Sequence, residues 1–441
     1  MMKIKMNGKY HVKSIDIVKN MLLTSIVLSS TQIITTPIGG LSIFQLFVLL
    51  TGIIGCIILI QSNRIKTGSY LLFLIMAFFS SILAFILSTN KSWGRSYLLL
   101  GILQTMLMLL ICNFFELSDL NKLLKAIVRS QYITFLMSAY SVYKFYFGGG
   151  IPNKINLGAG FFIDLGEEYL LRAQAAGQIR LSLPFPTPPV LSVVMAMVII
   201  ILIFNKDLYR KSERILLICG YSVIMLLTGS RTGMAALVMA LGLNYLFSLK
   251  AISLKSIKRY YIVLIGIMII AFAAFLYRFY NSEYFIKLLN RFAITNIMED
   301  RHLLVPLDGL IIWLSSVKNF ILGIGFGSSI NMMGEHTYLP PYFLNSFITY
   351  IVERGIMGGI MVFQILGLLR YKSYIKRKEF AAYKALYVSF LAALCSAVFY
   401  ETFNCYIIIF VFAIMFMCSQ NFMVGKVRME DGYFISNNSG L

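Results

Sequence analysis

Long, uninterrupted apolar runs constrain the fold of this chain more than any other feature. Hydrophobic residues occupy 59% of the 441 positions and charged residues only 13%. The runs are about 20 residues long, the length at which a helix crosses a bilayer, and a helix satisfies its own backbone groups in lipid. A transmembrane barrel would show shorter segments of alternating polarity. The sequence therefore predicts an all-α, polytopic integral membrane protein.

About twelve runs qualify as transmembrane helices. They cover approximately residues 15–36, 41–60, 69–88, 97–115, 125–147, 184–204, 214–229, 232–249, 260–280, 342–369, 381–400 and 402–423. Most of the 39 Lys and Arg lie in alternate short segments between these runs, such as 206–214, 250–259 and 370–378. Because short cytoplasmic loops are enriched in Lys and Arg, we predict that both termini are cytoplasmic. The net charge of +21 is then an orientation signal, and we expect no nucleic-acid partner.

This topology divides the chain into five regions. They are helices 1–5 in residues 1–147, a long outward loop 148–183, helices 6–9 in 184–280, a second long outward loop 281–341, and helices 10–12 with a cytoplasmic tail in 342–441. In the second loop, apolar residues recur at helical spacing, which predicts a short helix lying on the membrane surface. These residues are Leu307, Leu310, Ile311, Leu314 and Val317.

Arg231 lies in a tight polar turn between two apolar runs, in the sequence LLTGSRTGMAAL. A cation at that depth is costly unless it faces protein, water or an anionic ligand, which indicates a functional site. The alternative is an arginine that reaches the lipid headgroups from a helix end. Further arginines lie in the two outward loops, namely Arg172, Arg180, Arg291 and Arg301.

Four other ionisable residues are candidates for chemistry. Glu353 and Arg354 lie within an apolar run, where charges are normally paired or functional. The alternative is a helix broken at Gly355 with both side chains solvated. His302 and His336 lie in the second outward loop and titrate near neutral pH, although a loop histidine is often an ordinary surface group. We find no Asp-x-Asp or zinc motif, and expect no metal or cofactor.

Three features resemble the bacterial O-antigen polymerase and O-antigen ligase superfamily of membrane glycosyltransferases. Thr228–Leu237, TGSRTGMAAL, is similar to the family's S-R-x-G helix start. Gly323–Gly327, GIGFG, followed by Asn345–Gly359, NSFITYIVERGIMGG, is similar to its G-x-G, H-N-S-x-L and E-x-G-x-x-G motifs. The third feature is the pair of long outward loops with arginines. The chain departs from the ligases at Leu344, where many of them carry a histidine before the asparagine.

The resemblance implies a donor glycan linked through diphosphate to undecaprenol, elongated at the periplasmic face of the inner membrane without a metal. Arg231, with the N–H groups of the helix that follows it, Arg291 and Arg180 are expected to hold the diphosphate. Arg172 and Arg301 are further candidates for this cluster. A general base would come from His336, Glu353 or His302.

The expected partners are the lipid-linked glycan, membrane lipid and a chain-length regulator. Polymerase is the favoured interpretation of the resemblance. An O-antigen ligase, which transfers polymer to lipid A core, is the first alternative. A polysaccharide flippase is the second, although a flippase would more often show two similar halves and short loops on both faces.

Overall fold

The computed structural model describes residues 8–31, 34–36, 41–62, 65–66, 68–147, 154–158, 161–164, 180–185, 187–248, 301–328, 343–376 and 381–430. Most of these residues are helical. In chain order the α-helices are α1 Gly8–Leu28, α2 Ile43–Ser62, α3 Ser69–Leu87, α4 Lys91–Phe114, α5 Leu120–Phe147, α6 Pro188–Phe204, α7 Lys211–Leu227, α8 Arg231–Ser248, α9 Arg301–Leu314, α10 Val317–Leu322, α11 Ser346–Gly367, α12 Ala381–Phe399 and α13 Tyr406–Glu430. Short 3₁₀ turns lie at Ser29–Thr31, Leu117–Asp119, Lys206–Leu208 and Leu368–Lys376.

The helices confirm a helical membrane protein. Among the described residues, five segments are long and apolar enough to cross a bilayer: Ile43–Ser62, Tyr70–Leu87, Lys91–Phe114, Ser346–Lys372 and Ala381–Phe399. In the same part of the chain, four shorter apolar helices accompany them at Pro188–Phe204, Arg231–Phe247, Val305–Leu314 and Tyr406–Phe422. Each predicted span overlaps a helix, except 260–280, which lies outside the described residues. That all twelve runs cross the membrane stays a prediction.

A small antiparallel sheet is the departure from an all-α fold. Strands β1 Ile34–Thr35, β2 Lys154–Gly158 and β3 Phe161–Asp164 pair in the order β1-β3-β2. Ile163 of β3 lies opposite both Ile34 and Ile155. Part of the first predicted outward loop is therefore ordered as strands, because backbone groups outside helices still need hydrogen-bond partners.

Helices α6 and α12 form the centre of the protein. In α6 every residue from Val190 to Leu202 is buried, each with at most a few percent of its surface exposed. Helix α12 is buried along most of its length. The two helices pack against each other, and the Ser389 hydroxyl donates to the Met197 carbonyl at 3.1 Å. Both also pack against α8. Helices that are apolar on all sides belong in such a buried position.

The turns that carry the candidate site lie together at one end of the helices, which we call the site end. Its turns are 88–90, 228–230, 343–345 and 400–405. Contacts at the opposite end fix this alignment. Lys384, near the start of α12, lies over the ring of Phe204 at the end of α6 (4.9 Å), and Lys372, after α11, lies over the ring of Phe247 near the end of α8 (5.2 Å). The starts of α6, α8 and α11 therefore share the site end with the end of α12.

Helix α9 has the amphipathic character that its sequence predicts. Leu307, Ile311 and Leu314 are exposed along one side. The other side packs through Val305 against Phe343. The predicted short helix is confirmed, although it begins at Arg301 and is separate from α10. Its position on a membrane surface stays a prediction.

Candidate functional site

The segment Gly323–Gly327 and the middle of α11 form one structural unit. Helix α11 is interrupted at Gly355, whose φ of 60° and ψ of −143° favour glycine. The interruption opens two carbonyl groups to other donors. Ile324 N–H donates to Val352 C=O at 3.0 Å, and Gly325 N–H donates to Glu353 C=O at 3.2 Å. The two glycine motifs, which are separated in the sequence, therefore hold each other in place.

Glu353 is buried at this junction, with 3% of its surface exposed. Its Oε1 accepts a hydrogen bond from Gly327 N–H at 2.9 Å. The same residue thus binds the glycine segment twice, through its carbonyl group and through its side chain. A buried carboxyl that accepts from a backbone N–H is partly compensated for its loss of water.

Arg354 is buried beside Glu353, but its guanidinium is held mainly by aromatic rings. It lies 4.3 Å from the ring centroid of Tyr350 and 5.1 Å from that of Phe326. Its Nη1 also approaches the hydroxyls of Ser80 (3.4 Å) and Ser81 (3.5 Å). Among the described residues, no ion pair within 4.0 Å joins it to Glu353. The helix is broken at Gly355 as one alternative predicted, but the expectation of a solvated pair is wrong.

Glu401, in the turn between α12 and α13, is a second buried acid at the site end. Its side chain is 6% exposed, and both carboxylate oxygens are without a hydrogen-bond partner among the described residues. Burial is the main cause, and the charge of the nearby Glu353 carboxyl the second, that together raise the pKa of Glu401 to about 8, against smaller opposing effects of Thr349 and Arg354. Glu401 was not among the residues predicted from the sequence, since an acid in a short turn between two apolar runs looks like an ordinary loop residue.

The start of α11 fixes the turn that carries Glu401. Asn345 caps α11 by accepting from Phe347 N–H (3.0 Å) and Ile348 N–H (3.1 Å). The adjacent Ser346 hydroxyl accepts from Thr402 N–H at 2.7 Å and donates to Tyr400 C=O at 3.0 Å. The Asn-Ser pair of the predicted motif therefore positions the residues on both sides of Glu401.

Arg231 begins α8 at the site end and is exposed. The turn before it is ordered, since the Thr228 hydroxyl accepts from Ser230 N–H (3.1 Å) and Gly229 has a φ of 60°. Gly233, two residues after Arg231, packs directly on Ser192 of α6, and a Cβ there would overlap the serine. The glycine of the S-R-x-G pattern thus allows the start of α8 to approach α6 and holds Arg231 at the protein surface.

Arg180 lies at the same end of the protein as Arg231. The next residue, Leu181, donates its N–H to Leu227 C=O at 3.2 Å, at the end of α7. This bond places the segment that contains Arg180 beside the turn that leads to Arg231. Helix α12 packs against α8, which Arg231 begins, and also contacts α11, which carries Glu353.

The structure does not give the side-chain positions of the remaining predicted site residues. Arg172, Arg291 and His336 lie outside the described residues. Arg301 and His302 begin α9, and only their backbone is described. The structure thus brings Arg180, Arg231 and Glu353 to one end, and it adds Glu401 to them.

The site end combines an exposed cation at the start of an apolar helix with buried carboxyl groups. No protein-family model matches the chain, and no curated protein matches it significantly. Chemically, the arginine and the first N–H groups of α8 are suited to an anion such as a phosphate. The carboxyl groups are suited to receiving a proton or to accepting hydrogen bonds from hydroxyl groups.

Proposed function

We propose that the protein is a membrane glycosyltransferase of the O-antigen polymerase type. It transfers an undecaprenyl-diphosphate-linked glycan onto the non-reducing-end hydroxyl of a second lipid-linked repeat unit, at the periplasmic face of the inner membrane. The observation that carries this proposal is the presence, at one end of the helices, of an exposed arginine at a helix start and of two buried carboxyl groups: Arg231, Glu353 and Glu401.

The diphosphate is the part of the donor that Arg231 recognises. A guanidinium donates paired hydrogen bonds to phosphate oxygens and keeps its charge when it loses water. The first N–H groups of α8 have no partner within the helix, and they add positive potential at the same place. The bond from Leu181 N–H to Leu227 C=O, beside the turn before Arg231, supports the assignment of Arg180 to this cluster, and we assign Arg172, Arg291 and Arg301 to it from the sequence pattern.

The reaction is a displacement at the anomeric carbon of the donor sugar. The acceptor hydroxyl oxygen forms the new glycosidic bond, and the bond from the anomeric carbon to the diphosphate breaks with its electron pair on the diphosphate oxygen. Arginines stabilise the negative charge that grows on this leaving group. The proton of the hydroxyl passes to a general base, for which a buried carboxyl group at the site end is suited; His302 and His336 are the other candidates.

The proposed orientation follows from charge. The Lys and Arg clusters at 206–214 and 370–376 lie at the end of the helices opposite the site end. If those clusters face the cytoplasm, about twelve spans place both termini inside and the site end outside. That is the side on which lipid-linked repeat units are polymerised.

A strain that lacks the gene tests the proposal directly. We expect its surface polysaccharide to collapse on a gel to lipid A core carrying one repeat unit, because transfer and export continue while elongation stops. Lipid-linked intermediates extracted from the same cells should then be single units on the periplasmic side. An unchanged polymer ladder would rule out the polymerase function.

Two alternatives predict different intermediates in that strain. A ligase would leave the core bare and long polymer attached to undecaprenyl diphosphate. A flippase would leave single units on the cytoplasmic leaflet, and the buried acids Glu353 and Glu401 favour this transporter reading, since buried carboxyl groups in membrane proteins often carry protons. The lipid extract therefore separates all three functions in one experiment.

A further inference from the structure

Glu401 is a buried acid whose carboxylate oxygens have no partner among the described residues. An uncompensated buried carboxylate is costly, and its presence here points to a partner that arrives with the substrate. We infer that the Glu401 carboxylate accepts the proton of the acceptor hydroxyl during glycosyl transfer. This inference rests on the glycosyltransferase function proposed above, and it names the group that acts as base.

Glu353 is less suited to that role because one of its carboxylate oxygens already holds the glycine segment. Oε1 accepts from Gly327 N–H at 2.9 Å, and its carbonyl oxygen accepts from Gly325 N–H at 3.2 Å. Movement of this side chain toward a substrate would break its bond to Gly327 N–H and loosen the glycine segment from α11. Glu353 is therefore a positioning residue: it holds the junction and places a second acidic group near Glu401.

The protein holds Glu401 in place while leaving its carboxyl group uncommitted. The Ser346 hydroxyl binds the backbone on both sides, at Tyr400 C=O and Thr402 N–H. The Thr349 hydroxyl lies near the carboxyl group, but it donates its proton to Asn345 C=O at 2.9 Å. Its backbone is fixed and both buried carboxylate oxygens are without another donor among the described residues, so the carboxyl group is available to a substrate hydroxyl that enters beside it.

The position of Glu401 in the chain also suits a substrate at the membrane surface. It lies in the turn between α12 and α13, at the site end, and not in the middle of an apolar helix. The same end carries the start of α8 with Arg231. An acceptor sugar arriving at this surface is on the correct side for both groups.

Ionisable groups from three elements lie near Glu401, and the charges of Glu353 and Arg354 act on its pKa. They are Tyr350, Glu353 and Arg354 from α11, Tyr97 from α4, and Tyr400 from the same turn. Burial is the main cause of the raised pKa of Glu401, and the repulsion from Glu353 is the second. A base with a pKa of about 8 is mostly protonated at neutral pH and becomes active as the pH rises.

The proton transfer balances within the proposed displacement. As the acceptor oxygen bonds to the anomeric carbon, its O–H bond breaks and the proton moves to a Glu401 oxygen. The electron pair of the broken carbon–oxygen bond stays on the undecaprenyl diphosphate. Glu401 then returns its proton to water before the next transfer.

The inference is tested by the rate at which the purified full-length protein uses an undecaprenyl-diphosphate-linked repeat unit. This rate is measured from about pH 6 to about pH 9. The wild-type kcat should rise with pH and level off above about 8, where Glu401 is deprotonated. Glu401→Gln keeps the shape and removes the base, so kcat should fall by about 100-fold or more and the dependence on pH should disappear. KM for the lipid-linked unit should change little. Glu213→Gln, at an exposed acid near the start of α7, is the matched control and should behave as wild type.

Glu353→Gln supplies a second measurement that does not depend on the folding of the Glu401 variant. The glutamine oxygen can still accept from Gly327 N–H, so the junction is kept. Because a repulsive neighbour is removed, the pKa of Glu401 falls and the rise in kcat should move to lower pH.

The outcomes separate this inference from the proposed function. If Glu401→Gln keeps the wild-type kcat and pH dependence while Arg231→Ala is inactive, Glu401 is not the base. The proposed transferase function would still stand. An unshifted pH profile in Glu353→Gln would also overturn it. Full polymerisation by both Glu401→Gln and Arg231→Ala would overturn the proposed function as well.

Discussion

Arg231 is exposed at the start of an apolar helix, where a long cationic side chain can meet the proposed diphosphate without losing much water. The neighbouring turn and the packing of Gly233 on Ser192 fix the backbone from which it extends. Its contribution is therefore expected in binding and in charge stabilisation rather than in folding. This separates it from Glu353 and Arg354, whose side chains are part of the packed interior.

Replacement of Arg231 should abolish polymer formation without loss of the protein from the membrane. We expect Arg231→Ala to reduce the rate by about 100-fold or more, as for other groups that stabilise a developing charge. Arg231→Lys should recover only part of it, because an ammonium cannot form the paired hydrogen bonds of a guanidinium. Rates normalised to the protein in the membrane fraction measure this. Arg210→Ala, at an exposed arginine of the opposite end, is the control and should retain its activity.

Individual site residues could be predicted from the sequence where their position in the chain is itself unusual. Arg231 and Glu353 stand out because a charge next to or within a long apolar run is costly. Glu401 does not stand out, because an acid in a turn between two spans looks like an ordinary loop residue. Its burial depends on Ser346, which binds Thr402 across 56 positions of the chain. A contact over that separation is not encoded in any local pattern.

The junction between α11 and Gly323–Gly327 is the element that shapes the site end. Glycine is needed at Gly355 because the backbone has a positive φ and because a Cβ would meet the Ile321 carbonyl. Gly323, with a φ of 80°, would likewise place a Cβ against the Glu353 carbonyl. Close backbone packing thus explains the glycines, with no need for a phosphate-binding loop.

Gly355→Ala should destabilise this junction by about 1–3 kcal/mol from the strained backbone alone, with the overlap at Ile321 added to it. We expect a lower melting temperature in detergent and a loss of polymer, because Glu353 and the glycine segment separate. Gly359→Ala is the matched control on the same helix, since a Cβ there meets nothing within 4 Å. It should be neutral or stabilising by up to about 1 kcal/mol. Equal melting temperatures for the two variants would show that the junction is not rigid.

At the scale of elements, the helices could be predicted from the sequence, but their first and last residues could be predicted less well. Apolar runs locate the helices, but α1 begins at Gly8 and α4 at Lys91, several residues before the apolar runs, because polar residues continue a helix beyond the lipid. The strands were not predicted. β1 pairs with β3, which lies more than a hundred residues later in the chain, and Ile34 meets Ile163 only in the fold.

The whole molecule is organised around the two central helices α6 and α12, which hold the arginine and the carboxyl groups at one end. The charge pattern of the sequence predicts the orientation of this arrangement in the membrane, and the contacts of Lys384 and Lys372 show which helix ends lie together. Fold class was predictable at this scale because lipid leaves few options for a long apolar chain. The meeting of separate motifs at the site end was not, since it depends on the packing order of the helices.

Polymer formation by the purified protein is the most direct test of the central claim. The full-length protein in lipid vesicles is given an undecaprenyl-diphosphate-linked repeat unit and no other protein, and the products are separated on a gel. We predict a ladder of lipid-linked polymer with release of undecaprenyl diphosphate, and no ladder with Arg231→Ala. Repeat units that stay single while moving across the vesicle membrane would contradict the glycosyltransferase function and favour a transporter.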